Sequence, residues 1–196
     1  MKTKINKEKK ISTVLLSYHL SPDSVNKLLE IAKVIFVKNK TNLINIGDVN
    51  QNCYFILEGG FVARSFYFDS QKIAATNFFL NDYFPFMGSL DSFLTGVKTK
   101  TELIAVKNSL VLAFHKSEIE KLMVEKQDIS MFYLRMMTEI LGNETELKTV
   151  LIGSSKKDIY DYLIEKCNPV IKNVPAKYIA EFMGISAEWY SKLKKR

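Results

Sequence analysis

The apolar residues of this chain change period part-way along it, and that change restricts the folds open to it. From Val34 to Lys116 they come in short β-branched or aromatic runs: "KVIFVKNKTNLINIGD", "NCYFILEGGFVARSFYFD", "KIAATNFFLND" and "TELIAVKNSLVLAFHK". Asn, Asp and Gly punctuate these runs, as expected for strands. Glu58-Gly59-Gly60, between "YFIL" and "FVARSFYF", reads as a hairpin turn. Six to eight such strands in about 80 residues predict an antiparallel jelly roll. From Ser117 onward the apolar residues recur every three or four positions, the period of helices. The fold class is therefore α+β, with helical spacing also ahead of the roll, where "SPDS" supplies Ser21 as N-cap and Pro22 as first helical residue.

After the short amphipathic "SEIEKLMVEKQ", a long helix is expected from Asp128 to about Ile152. Ile129, Tyr133, Met136, Ile140, Asn143, Leu147 and Val150 follow one another at spacings of 4, 3, 4, 3, 4 and 3, a coiled-coil seam that predicts a homodimer. A second stripe, Leu134, Met137, Leu141 and Leu151, runs beside it. One stripe can cover the chain's own roll and the other a second chain. Asn143 is the polar member of the seam, and such a residue can fix register against its symmetry mate. An ordinary core helix with one solvated Asn is the plainer reading.

Charge is placed unevenly. Residues 1–10 hold five Lys and one Glu, and residues 174–196 hold four Lys, one Arg and two Glu. The stretch between them is balanced at 18 basic and 18 acidic residues. The whole excess of +7 therefore sits at the two ends, and a basic end on a neutral body suits a polyanion. The first ten residues read as a solvated tail. Cys53 and Cys167 stand far apart, which fits a reducing setting and no Cys-based metal site. No signal peptide or membrane span is legible, so a cytoplasmic location without membrane contact is expected.

At the C-terminus, "VPAKYIAEFMGISAEWYSKLKKR" divides into two short helices around Gly184. Ala180 permits close approach, Gly184 the tight turn, and Ser186 a cap on the second helix. Ile179, Phe182, Met183, Ile185, Tyr190 and Leu193 supply the apolar contacts, and Glu188, Lys192 and Lys195 lie outside that set. This is the pattern of a helix-turn-helix with a basic second helix. The divisions are a sensor domain over 1–127, a dimerisation helix over 128–153 and a helix-turn-helix domain over 154–196.

With these parts in order, the chain resembles the Crp–Fnr family, the catabolite-activator-like transcription regulators, over nearly its whole length. "NLINIGDVNQNCYFILEGGFVA" is similar to that family's cyclic-nucleotide-binding-fold signature, and "FPFMGSLDSFLTG" to its ligand-cassette turn. The resemblance implies a homodimer that binds a pseudo-palindromic site on double-stranded DNA and regulates transcription. It also implies RNA polymerase as a partner and, often, a small effector.

The departures set further expectations. Nucleotide-binding members carry a Glu after the cassette Gly and an Arg-Ser or Arg-Thr pair some ten residues later. Here Ser89 follows Gly88, and Thr99 and Lys100 stand at the pair's place. A buried phosphate favours the guanidinium fork, so cyclic AMP fits poorly. The pocket at Gly88, Ser89, Thr99 and Lys100 stays open to another small anion or to nothing, and no cofactor is implied. Haem would need axial ligands and an iron–sulfur cluster a Cys group, whereas residues 1–35 hold no Cys and only His19.

In the reader helix, Ala187, Glu188 and Lys192 replace the family's Arg-Glu-x-x-x-Arg. Glu188 can accept from cytosine N4, Lys192 can donate to guanine, and Ala187 can touch only a thymine methyl. Trp189 packs inward or on the sugar–phosphate backbone. The sequence reaches Arg196 without the strands of a wing, so Ser186, Lys194, Lys195 and Arg196 are the expected phosphate contacts. Two other functions compete. A sensing or scaffolding dimer would not bind DNA. A cupin-like metal enzyme would need about three converging ligands, and the chain has two His, His19 and His115. The expectation is therefore that the protein is not an enzyme.

Overall fold

The computed structural model describes residues 11–67 and 71–195, so the basic start over 1–10 and Arg196 lie outside the described residues. A helical segment over 11–16 (α1) and α2 (Pro22–Ile31) lead into a block of strands. These are β1 (Lys33–Val37), β2 (Asn42–Ile44), β3 (Asn52–Glu58), β4 (Gly60–Tyr67), β5 (Lys72–Leu80), β6 (Phe86–Met87), β7 (Thr101–Ala105) and β8 (Ser109–His115). A short α3 (Leu90–Thr95) interrupts the block. After it come α4 (Lys116–Glu125), α5 (Gln127–Gly153), α6 (Lys156–Lys166), α7 (Asn168–Asn173), α8 (Ala176–Met183) and α9 (Ala187–Lys194). The strands form two four-stranded antiparallel sheets, ordered β1-β8-β3-β6 and β2-β7-β4-β5.

The continuous apolar run in β3 follows from its burial on both faces. Tyr54 and Ile56 point between the sheets, against Phe61, Leu103 and Val111. Cys53 and Phe55 point outward, against the helices. The tight β3–β4 connection requires Gly59, which sits at φ +101°. A Cβ there would lie 2.1 Å from the Ser109 Oγ and 2.6 Å from its Cα, closer than packed atoms can approach.

Ser21 caps α2 as the sequence predicts, its hydroxyl accepting from the Ser24 amide at 3.2 Å, with Pro22 in the first position. α6 stops at Lys166, ahead of Asn168-Pro169, and that pair also opens α7. A proline in the first turn gives up an amide that has no helical partner anyway.

The long helix corrects the seam. Ile129, Met136, Ile140 and Leu147 are buried against this chain's own residues, and Tyr133 and Val150 pack half-buried beside them. The first half of α5 covers Phe55, Leu112 and Phe114 on the outer face of the β1-β8-β3-β6 sheet. Asn143 is satisfied inside the chain rather than facing a symmetry mate. It accepts from the Tyr83 hydroxyl at 3.1 Å and donates to the Asn77 Oδ1 at 3.5 Å. The regular 4-3 spacing arises because a flat sheet face also demands one apolar stripe, so the stripe alone does not name its partner.

A third cluster joins the two halves of the molecule. Val62, Ala75, Phe78 and Leu80, on the outer side of β4 and β5, share one core with Ile159, Leu163, Ile179, Phe182 and Met183 from α6 and α8.

The start of α5 is held to α2 by Asp128. Desolvation alone would raise its carboxyl, but hydrogen bonds outweigh it and hold the pKa at about 2, against an ordinary 3.8. They come from the Ser24 hydroxyl at 2.6 Å, the Ser21 amide at 2.9 Å and its helix's own Ile129 amide at 3.0 Å. A depressed carboxylate stabilises the fold above its unfolded pKa and loses that contribution as pH falls to the folded one. Asp128 is only half-buried, so solvent screening reduces the effect to about 1 kcal/mol. Asp128→Asn is expected to lower the midpoint of thermal unfolding at neutral pH. The gap from the parent should close as pH is lowered from about 4 towards about 2, as read by circular dichroism melts across that range.

Candidate functional site

The α8–α9 pair is built by local signals that agree. Gly184 ends α8 in the left-handed conformation at φ 64°, and the Ile185 amide closes the turn on the Ala180 carbonyl at 3.0 Å. Ser186 then caps α9, its hydroxyl accepting from the Trp189 amide at 3.1 Å. Tyr190 is buried and packs edge-on to the Tyr160 ring at 5.7 Å, while Ile185 and Leu193 lie half-buried on the same side. Ser186, Ala187, Glu188, Lys192, Lys194 and Lys195 are all exposed.

On the helical wheel Glu188, Lys192 and Lys195 form one outward face, and Ala187 and Lys194 flank it. Ser191 is exposed on that face too, three residues after Glu188. The same 3–4 spacing places it on that face. Trp189, at 48 % exposure, stands beside the face rather than in the core. The Ser186 hydroxyl, then the amide of Glu188 itself, hold the Glu188 carboxyl below its ordinary value, with Lys192 adding to the effect. The outward face therefore presents a carboxylate acceptor beside several cations.

A cleft of about 560 Å³ opens where the roll, the second half of α5 and α8 meet. Gly88 and Ser89 line it. Thr99 is buried behind them: its hydroxyl is in hydrogen-bond contact with the Ser89 hydroxyl and accepts from the Thr101 amide at 2.9 Å. The backbone of Thr99 pairs with the Gly47-Asp48 turn at 2.8 and 2.9 Å. Lys100 is exposed and is not part of the lining.

Three charged side chains that sequence reading did not single out line the cleft instead: Asp91, Glu144 and Lys148. The Asp91 carboxylate accepts from the Ser89 hydroxyl at 2.6 Å and the Ser92 amide at 2.8 Å. The chain's own anion thus occupies donors at the start of α3. Ser65 and Thr101, hydroxyls 2.9 Å apart, are further polar lining groups. Glu144 and Lys148 lie four apart on α5, a spacing legible in sequence only once the helix's cleft-facing side is known.

The histidines do not converge. His19 lies in the turn after α1, and the His115 Nδ1 is 3.0 Å from the Ser117 hydroxyl. Among the described residues no group of three His, Cys, Asp or Glu could hold a metal ion, and no helix is long and apolar enough to cross a membrane.

No protein-family model matches the sequence, and no curated protein matches it. Solved structures do match the fold. FixK2 from Bradyrhizobium japonicum superposes with a TM-score of 0.69 at 12 % identity, over 84 % of this chain and 83 % of that one. CLP, a c-di-GMP responsive global regulator of Xanthomonas campestris, superposes at 0.67 and 13 % identity, over 89 % and 90 %. The catabolite activator protein of Thermus thermophilus does so at 0.56 and 15 %, over 90 % and 83 %.

The fold is Crp–Fnr-like.

In a Crp–Fnr-like frame, the roll is the cyclic-nucleotide-binding-like part and α8–Gly184–α9 the C-terminal helix-turn-helix. The cassette, however, offers a phosphate no guanidinium. Among the described lining residues Lys148 is the one Lys or Arg, set against two carboxylates. A dianionic or anionic ligand without a fork to receive it keeps most of its desolvation cost. Calorimetric titration with cyclic AMP is expected to show no submicromolar site. A tight site in the wild-type protein would contradict this account of the cassette.

Proposed function

We propose that the protein is a sequence-specific, DNA-binding transcription regulator of the Crp–Fnr type that acts as a homodimer. The observation that carries this reading is α9: an exposed face of Glu188, Ser191, Lys192 and Lys195 on a capped helix, held by a tight turn against a buried partner helix. Such a helix fits the major groove, with its positive N-terminus and Ser186 beside a phosphate. Glu188 and Lys192, four apart, reach neighbouring base edges. Lys194 and Lys195 serve the backbone, and Arg196, outside the described residues, belongs with them by sequence. RNA polymerase is the partner such a regulator would act through, and the cleft is where an effector other than cyclic AMP would bind.

The dimer rests on the side of α5 that the chain leaves open. Met131, Leu134, Leu141 and Ile152 are 56 %, 58 %, 54 % and 77 % exposed. With Thr138 and Thr145 they continue an unbroken 3-4 spacing from 131 to 145, which Lys148 and Ile152, both also at the cleft, extend to 152. Thr138 and Thr145 return their hydroxyls to the Leu134 and Leu141 carbonyls, each at 2.8 Å, and so can enter an apolar seam without losing a water partner. A twofold pairing of this stripe would supply a self-complementary surface and set two copies of α9 side by side.

Neighbouring residues test that assignment. Leu141→Asp is expected to give a folded monomer in sedimentation velocity, because a charge on an exposed stripe costs the monomer little. Ile140→Asp buries an unpaired carboxylate in the chain's own core and should cost the fold about 3 kcal/mol or more, read by urea unfolding. A wild-type protein that sediments as a monomer at micromolar concentration would contradict the dimer.

The reader helix is tested by separating its two roles. Lys192→Ala should relax preference at one base position and cost roughly 1–3 kcal/mol per half-site. Lys195→Ala should weaken binding to all duplexes alike and reduce the salt slope by about one ion per site. Selection from randomised duplexes checks the first and fluorescence anisotropy at several salt concentrations the second. Full parental preference in Glu188→Ala and Lys192→Ala would show that α9 is not the reader. No salt-dependent duplex binding at all would favour a sensing or scaffolding dimer.

A further inference from the structure

Arg64 ties the roll to α8 of the helix-turn-helix through charge. It follows a register shift between Ala63 and Arg64 in the β4–β5 pairing, which leaves Thr76 unpaired opposite it. Its Nη1 donates to the Oε1 of Glu102, its cross-strand neighbour on β7, at 2.6 Å. The Nε donates to Oε2 of Glu181 on α8 at 3.0 Å, and Nη2 to Oε1 of the same carboxylate at 3.4 Å. The guanidinium also lies 5.5 Å from the centroid of the Tyr178 ring, one turn earlier on α8. The Glu102 Oε2 accepts from Asn42 at 3.1 Å, so the sheet end of the bridge is itself anchored. All three charged side chains are largely shielded, at 20 %, 12 % and 28 % exposure.

The rest of the α8 contact is apolar, with Phe182 packed edge-on against Phe78 at 5.1 Å. The hydrophobic effect that drives this contact is non-directional. A two-pronged guanidinium–carboxylate contact is directional. We propose that Arg64 is a positioning residue: its fork on Glu181 sets the orientation of α8, and therefore of α9, on the roll. In the dimer this fixes the distance between the two reader helices. The inference rests on the DNA-binding reading and deepens it, because it names what determines half-site spacing. Phe182, next to Glu181, is part of the cleft wall, so an occupant of the cleft would press on the turn of α8 that Arg64 holds.

The test uses the full chain and a set of duplexes carrying the half-site recovered by selection, inverted, with the spacer varied one base pair at a time. Arg64→Lys keeps the charge and loses the fork. Glu181→Gln keeps the shape and loses the charge. The wild type should prefer one spacer. Each variant should bind that duplex about tenfold more weakly, a coupling of ordinary size, and should flatten the preference across spacers. Binding to a single half-site should stay at the wild-type level, and the double variant should be no worse than either single one. A merely structural role would lower the unfolding temperature and leave the spacer preference intact, and that result in either folded variant would overturn the proposal. A wild type that binds no duplex would overturn the regulator reading, and this inference with it. A wild type that binds but shows no spacer preference would overturn the inference alone.

Discussion

Everything in this molecule hangs on the burial of one side of α5. Ile129, Phe132, Met136 and Ile140 close the outer face of one sheet, and Leu147 passes into the core shared with α6 and α8. One helix of 27 residues therefore touches both apolar clusters outside the roll. The roll could not bury Phe55 and Phe114 without it, and the C-terminal helices would lose the floor on which they stand. Because the inward side is spent in this way, only the outward side of α5 remains to meet a second chain. The face proposed for the dimer follows from this.

Polar groups at the junction add direction to that apolar core. Tyr83 reaches both Asn143 and the Cys167 sulfur, the latter at 3.2 Å. Burial, followed by the Cys167 contact, pushes the Tyr83 hydroxyl well above its ordinary range, so it remains a neutral donor. Asn77, Asn143 and Tyr83 find these partners when the roll, α5 and the α6–α7 junction meet in one register. With the Arg64 bridge they make the relative placement of the two halves a specific arrangement, whereas hydrophobic contact alone would permit many.

Much of this was legible in the sequence, and the misses have physical causes. The change of period separated roll from helices, since a strand's period of two and a helix's of 3.6 cannot be confused over long runs. Gly59, Gly184, Ser21 and Ser186 marked turns and caps because each position demands a particular backbone or acceptor. The order of these parts carried the resemblance that the comparisons of structure support. What failed was the partner of the 129–150 stripe, because periodicity reports that a face is apolar and not what covers it. The lining residues Asp91, Glu144 and Lys148 were missed for a related reason: they come to one cleft only through the fold, from α3 and α5, which are far apart in sequence. Arg64 and Glu181, 117 positions apart, carry no local mark at all. Ser191 could have been found from spacing alone.

The central claim is that two copies of this chain present α9 together to one duplex. Light scattering coupled to size exclusion, on protein mixed with a duplex bearing an inverted repeat, measures this most directly. The account predicts a complex with the mass of two chains and one duplex, and its loss when one half-site is scrambled at moderate salt. A mixture that elutes as separate protein and duplex, or a complex holding one chain regardless of the second half-site, would contradict it.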